Sequence, residues 1–237
     1  FSEEKLRAAI EQHNEVCRII TEIGDMRKLP NPPVTGYEFH VIQLVSLTCP
    51  KDLILPYLRE TLEEIKSREP EPKFPFRARV MVAGSEIDDP DFTKLLEGCG
   101  AYVVADRYCF GSIPGREEII IRDGESALTA VARHYLSTSE CPRFMNKEKQ
   151  EQRRRYLKQL VNDYHADGVL YLQMKFCEFW SYERVMGVHD MVEKEHIPCI
   201  GVEKEYTMAS AGQLRTRFQA FVESLEIKKI QAEEVRR

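Results

Sequence analysis

Between Glu3 and Met26 apolar residues return every three or four positions, with Leu6, Ile10, His13, Val16, Ile20 and Ile23 on one stripe. That spacing predicts an amphipathic helix, with His13 and Cys17 lining its inner face. Leu29-Pro30-Asn31-Pro32-Pro33 must end it, since proline removes a backbone donor and clashes with the preceding turn. Two further helical stretches, about Tyr37 to Leu47 and Lys51 to Ser67, make residues 1 to 68 a helical lead-in. Glu69 to Pro75, with three prolines, is a linker, so the first unit closes at residue 76.

From Arg77 the period switches between two and 3.6. Strands are predicted at Ala78 to Ala83, Ala101 to Ala105, Gly168 to Met174 and Pro198 to Val202. Between and after them lie helices at Asp91 to Glu97, Glu125 to Leu136, Lys147 to His165, Tyr182 to Glu195 and Ala211 to Leu225. Gly98 and Gly100 end the first of these, and Cys141-Pro142 separates the second from the third. β-α units of this length predict an α/β domain over residues 77 to 226: a mainly parallel open sheet of four or more strands, with helices on both faces. Residues 227 to 237 read as a charged tail that frays.

Gly168 to Met174 is the most strongly apolar run, as expected of a strand covered on both faces, and charge arrives abruptly at Lys175 and Glu178. Cys177 follows at the strand's carboxyl end. In open parallel sheets ligands bind in the crevice beyond those ends, so a thiol there is placed for chemistry, although a cysteine after an apolar run is also an ordinary small hydrophobe. Ser85 to Asp89 and Asp106 to Gly115 occupy equivalent positions, the second carrying Cys109 in its middle. If their strands are neighbours, the two thiols face one crevice. The Gly84-Ser85 and Gly111-Ser112 pairs would let backbone approach a ligand and offer amide donors to an anion, or serve simply as turns.

Composition narrows the classes. The 237 residues are 43% apolar, enough for a substantial core. No apolar run approaches the roughly 18 to 20 residues that cross a bilayer, and the first residues lack the order of a signal peptide, so a soluble, cytoplasmic protein is expected. A net charge of -5 from 34 basic and 39 acidic residues offers no field for nucleic acid. Arg153, Arg154 and Arg155 fall within a helical pattern and read as a solvated face. The seven cysteines include no CxxC pair, which argues against a disulfide framework and a self-contained zinc site. Two thiolates complete neither a tetrahedral zinc site nor a four-cysteine cluster, so any cluster needs ligands from elsewhere.

Six blocks in order, GSEIDDPDF (84 to 92), VVADRYCFGS (103 to 112), CPRFM (141 to 145), DGVLYLQMKFCEFWSYE (167 to 183), IPCIGVEKEY (197 to 206) and GQLRTRFQAFVE (212 to 223), resemble the benzoyl-CoA reductase and 2-hydroxyacyl-CoA dehydratase family. The resemblance covers about residues 77 to 225. The loop Gly111-Ser112-Ile113-Pro114-Gly115 looks more like a benzoyl-CoA reductase small subunit, since dehydratases commonly carry Arg where Ile113 stands.

The resemblance implies subunits with two similar α/β domains and a four-iron four-sulfur (4Fe-4S) cluster held by three cysteines between them. The cysteine of the family's lysine-phenylalanine-cysteine block is one ligand and falls on Cys177. The other two belong to an amino-terminal domain, so this chain corresponds to the carboxyl-terminal part of a subunit. Cys109 matches a recurrent family cysteine near the cluster or the acyl-CoA, unless it is an ordinary buried loop thiol, with Ser85, Glu86, Ser112, Lys175 and Glu178 in the same vicinity. Lys175 would offset the charge of a reduced cluster. Phe176, Phe179 and Trp180 would exclude water, unless they are ordinary helix-to-sheet packing. No GxxxxGK[ST] motif occurs, so ATP coupling would come from a separate ATP-hydrolysing activator, alongside a homologous cluster-bearing subunit. The helices at 3 to 26 and 211 to 225, with Arg215 and Arg217 as rim charges, are candidate contact surfaces. The implied function is ATP-coupled reduction of the aromatic ring of a benzoyl-CoA. Radical dehydration of a 2-hydroxyacyl-CoA is the alternative, and a non-catalytic electron relay or scaffold is a third.

Overall fold

The computed structural model describes residues 2–69, 75–113, 116–138, 141–143 and 146–235. Strands Ala78–Gly84 (β1), Ala101–Tyr108 (β2), Gly168–Met174 (β3) and Cys199–Lys204 (β4) form one sheet in the order β2-β1-β3-β4, and every pairing is parallel. The expected parallel architecture is therefore present. The chain leaves β1 for β2 on one side and returns to β3 on the other, so the carboxyl ends of β1 and β3 flank the topological switch point.

Alternation along the strands divides two cores. Val80, Val82, Leu170 and Leu172 face the helices Asp91–Glu97 (α4) and Ala211–Val235 (α8), where Phe92 meets Phe218 edge to face at 5.4 Å. Met81, Ala83, Val169 and Tyr171 face Lys147–Asp163 (α6) and Glu178–His189 (α7), with Leu157, Val161 and Trp180 against them. A register shift after Val80 re-phases β2 against β1.

The lead-in is helical as expected, with Glu3–Asp25 (α1), Gly36–Thr48 (α2) and Lys51–Ser67 (α3) around their own core of Val16, Ile20, Ile23, Phe39, Leu58 and Ile65. Ser2 caps α1 and a Thr35–Glu38 capping box starts α2. Ala127–Thr138 (α5) packs on α1 around Ile10, Ile119 and Ala130. Glu97, at the end of α4, accepts from the backbone N–H groups of Gly36 (2.8 Å), Tyr37 (3.1 Å) and Val103 (3.2 Å), and so joins the start of α2 to β2.

A buried charge network makes the second joint. Asp106, near the end of β2, accepts from Arg27 at 3.0 Å and Arg116 at 2.8 Å through one oxygen, and from the Ser112 N–H at 2.8 Å and Gln43 at 3.3 Å through the other. Arg27 lies flat on Phe39, its guanidinium carbon 3.7 Å from the ring centre. Arg79 donates to the carbonyls of Arg27 (2.6 Å), Leu29 (3.2 Å) and Tyr164 (3.0 Å), fixing the turn after α1 to α6. Burial alone would push the Asp106 carboxyl up, but Arg116, Arg27 and the Ser112 N–H hold it well below the usual carboxylate range.

Four expectations change. β2 runs three residues beyond Ala105, because Asp106 and Arg107 are paired in the interior and the run does not dissolve into a polar loop. α7 starts four residues before Tyr182 and closes in a π-helical turn, Asp190–Lys194. α8 continues past Leu225 to Val235, so the expected tail is helical where it is described. Arg153 and Arg154 are not a solvated face: Arg153 pairs with Glu183 at 2.9 Å, both buried, and Arg154 with Asp190 at 2.5 Å, tying α6 to α7. Residues 70–74 of the linker, Pro114 and Gly115 of the second loop, and Phe144 and Met145 of the third block lie outside the described residues.

Asp106→Asn leaves two guanidinium groups around a neutral side chain and should cost about 3–5 kcal/mol in urea unfolding. Because folding lowers the Asp106 pKa, its contribution is complete above the unfolded value and is lost as pH falls toward the folded one, so wild type and variant should converge in acid. Burial pushes the Glu97 carboxyl up to about 7 despite its three donors. A raised carboxylate pKa favours the folded state most below the unfolded value of about 4.5, and that advantage is lost as pH rises to about 7. Glu97→Gln should flatten this decline, and an unchanged pH profile would contradict it.

Candidate functional site

β1 and β3 approach so closely at the switch point that only glycine fits at position 84. Its φ is 147°, and a Cβ would stand 2.0 Å from the Leu172 carbonyl oxygen. The Ser85 N–H donates to that carbonyl at 3.0 Å, and the Met174 N–H donates to the Ser85 hydroxyl. The Ser85 carbonyl accepts from the Cys109 N–H at 3.2 Å. The first loop is thus joined to the end of β3 and to the Cys109 loop. Ser85 and Ser112 are spent in the stitching, however: both are buried, and the Ser112 N–H and hydroxyl both go to Asp106. Neither glycine-serine pair presents a free serine amide to an anion.

Cys177 is the residue immediately before α7, not a member of a longer loop. Its N–H donates to the Met174 carbonyl at 3.1 Å and its carbonyl accepts from Ser181 at 2.9 Å, while no bond from its side chain caps the helix. Half-buried, it lines an open cavity of about 460 Å³ together with Gln173, Phe176, Glu178, Tyr182 and Val185. Phe176, at φ 69° and 96% exposed, projects from the strand end into solvent, and Phe179, Tyr182 and Val185 are exposed as well. A bulky residue with positive φ is strained by about 1–3 kcal/mol, and it persists here at the mouth of the crevice. Of Phe176, Phe179 and Trp180, only Trp180 packs between helix and sheet.

Cys109, directly after β2, and Cys177 pack against the same core. Burial pushes the Cys109 thiol up to about 11; the Trp180 indole N–H opposes this, and Cys141, Cys177 and Glu86 add to it, so these groups share one neighbourhood. Among the described residues no three His, Cys, Asp or Glu side chains stand together as a metal site. Cys177 is therefore a single thiol donor beside an open cavity, able to supply one ligand to a metal group, and among the described residues no further ligand stands with it.

Lys175 extends to Glu205 at 2.7 Å in solvent and is already neutralised there. The buried cation of this region is Lys204, 1% exposed at the end of β4, whose ammonium donates to the carbonyls of Glu205 (3.1 Å) and Tyr206 (3.0 Å). Burial lowers its pKa, against the pull of Asp88, Asp89 and Glu86 in the first loop. Tyr206 reaches Asp88 at 2.7 Å, so the acidic loop closes over β4. Sequence reading missed Lys204 because a lysine ending a strand reads as the first residue of the next loop.

The family model for the 2-hydroxyglutaryl-CoA dehydratase D-component matches residues 1–225, so the likeness takes in the helical lead-in as well as the sheet. The chain is 25% identical over 236 residues to an Escherichia coli (strain K12) protein whose name describes a dehydratase subunit, YjiM, covering 95% of this chain and 58% of that one. It is 25% identical over 226 residues to the (R)-phenyllactyl-CoA dehydratase beta subunit of Clostridium sporogenes, covering 95% and 58%. With a benzoyl-CoA reductase subunit of Thauera aromatica it shares 22% over 229 residues, covering 96% and 58%. The chain thus spans less than two thirds of each relative. Among the described residues no helix is long and apolar enough to cross a membrane.

Burial raises the thiols of Cys17 and Cys109 to about 11 and that of Cys199 to about 12. Since the thiolate is the nucleophile, iodoacetamide at pH 8 should label Cys177 ahead of these three, as read by peptide mass spectrometry. Faster labelling of Cys109 would contradict the assigned geometry.

Proposed function

Because the chain belongs to the 2-hydroxyglutaryl-CoA dehydratase D-component family, whose relatives here are dehydratase and reductase subunits, we propose that it forms part of a cluster-bearing subunit acting on an aromatic acyl-CoA. The observation that carries this reading is Cys177, a thiol after the carboxyl end of β3 that lines an open cavity near exposed Phe176, Phe179 and Tyr182. When bound, a 4Fe-4S cluster supplies a single electron at low potential to an acyl thioester. The chain's own contribution is the Cys177 thiolate as one ligand, exposed apolar groups (Phe176, Tyr182 and Val185) that would pack against an aryl group, and the β1–β3 pairing that holds the end of β3 in place.

Radical dehydration of a 2-hydroxyacyl-CoA is the first reading, since the matching family and two of the three relatives carry dehydratase names. Reduction of a benzoyl ring is the second, favoured by Ile113 and by the reductase relative. This order reverses the one that the Gly111-Ser112-Ile113 loop suggests alone. All three relatives are named as subunits, which supports assembly with other subunits; a homologous cluster-bearing partner and a separate ATP-hydrolysing activator are part of the proposal.

Cys177→Ser in the full-length subunit, purified without oxygen beside its homologous subunit, should keep its circular dichroism and lose cluster absorbance, iron and turnover. Full iron and normal turnover in that variant would remove Cys177 from the site. A panel of 2-hydroxyacyl-CoA and benzoyl-CoA substrates separates the two readings, and a loaded subunit that binds neither would be a relay.

A further inference from the structure

The cavity that Cys177 lines holds one polar side chain drawn almost wholly into the protein. Gln173 follows Val169 and Tyr171 along the face of β3 that α6 and α7 cover, is 7% exposed, and ends that row at the cavity. From α7, the Arg184 Nε donates to the Gln173 Oε1 at 2.8 Å. A guanidinium has no acceptor atom, so the carboxamide must turn its oxygen toward Arg184 and its NH2 away from it. Among the described residues that NH2 has no partner, and it is not one of the sealed, unbonded atoms of the interior. It opens onto the cavity instead, so two N–H donors with a fixed direction are aimed into the space beside Cys177.

Two neighbours add acceptors to these donors. Ser181, half-buried one turn into α7, spends its backbone N–H on the Cys177 carbonyl, but its hydroxyl bonds to nothing among the described residues. Glu178, exposed on the same cavity, can only accept while it is ionised. A thioester carbonyl calls for donors alone, and an unsubstituted benzoyl ring for neither donors nor acceptors. An alcohol both donates and accepts, which is what Gln173, Ser181 and Glu178 together complement. The volume of about 460 Å³, with Phe176, Val185 and the Tyr182 ring on its walls, lies within the roughly 300–1,000 Å³ of small-molecule sites, where a few placed polar groups among apolar ones decide what is bound.

We propose that the Gln173 amide and the Ser181 hydroxyl are the specificity contacts for the 2-hydroxyl group of a 2-hydroxyacyl-CoA, with Arg184 as the positioning residue that sets the amide. This rests on the reading of the Cys177 cavity as an acyl-CoA site, and within that reading it favours the hydroxylated substrate over benzoyl-CoA. Calorimetry of the cluster-loaded full-length subunit with its homologous partner, without oxygen or reductant so that nothing turns over, compares 2-hydroxy-3-phenylpropionyl-CoA with 3-phenylpropionyl-CoA, which lacks only the hydroxyl. The wild type should bind the hydroxylated ester about tenfold more tightly. Gln173→Leu should erase most of that ratio by weakening the hydroxylated ester alone, and Ser181→Ala should narrow it. Arg184→Met, which frees the amide to turn over, should narrow it too while affinity for the other ester holds. If Gln173→Leu fails to fold, Ser181→Ala carries the test. Equal weakening of both esters by Gln173→Leu would assign the amide to the thioester carbonyl and overturn the proposal, as would a ratio unchanged in Gln173→Leu and Ser181→Ala. A wild type that binds neither ester overturns the acyl-CoA reading itself, and this inference with it.

Discussion

One carboxylate with two guanidinium groups fixes how the two halves of this chain sit together. Asp106 belongs to β2, Arg27 to the turn after α1, and Arg116 to the segment beyond the Cys109 loop. A buried ion pair adds little net stability over an apolar substitute, but it tolerates only one geometry, because any misplacement strands a charge in the interior. The lead-in is thereby held in register with the sheet, and the Cys109 loop with both. Asp106 accepts four hydrogen bonds, which uses the full capacity of its two oxygens.

Much of this was legible in the sequence. The 3.6-residue stripe through Ile10, Val16 and Ile23, the prolines after Leu29 and the unbroken apolar run of β3 place their elements to within a residue or two, since burial there is achieved by apolar groups alone. Reading failed where burial is achieved by charge. Asp106 and Arg107 look like a loop, and Arg153 and Arg154 like a solvated face, because a sequence displays charges without the partners that neutralise them. Glu183 and Asp190 lie some 30 residues from those arginines and carry no local sign of the pairing.

The candidate site was half legible for a related reason. A thiol after an apolar strand is visible in the sequence, and Cys177 stands between β3 and α7 beside an open cavity. The sequence cannot show that Ser85 and Ser112 are consumed in stitching the loops, or that Lys204 rather than Lys175 is the buried cation. Nor does it show that Phe176 is held in a strained conformation pointing outward, which leaves the crevice wall apolar at the cost of local backbone energy.

The carboxylate of Glu97 bears on how the chain folds in time. It supplies the first two N–H groups of α2 with their acceptor from some sixty residues downstream. A helix whose terminus is completed by so distant a group cannot finish forming when its own residues collapse. It must wait for α4 and the start of β2, and the entropy of closing that long loop is lost before the cap compensates for it. The parallel pairings add further non-local contacts, from Ala78 with Ala101 to Val80 with Gly168. Folding should accordingly be slow and cooperative, with the lead-in arriving at its native form together with the sheet rather than ahead of it.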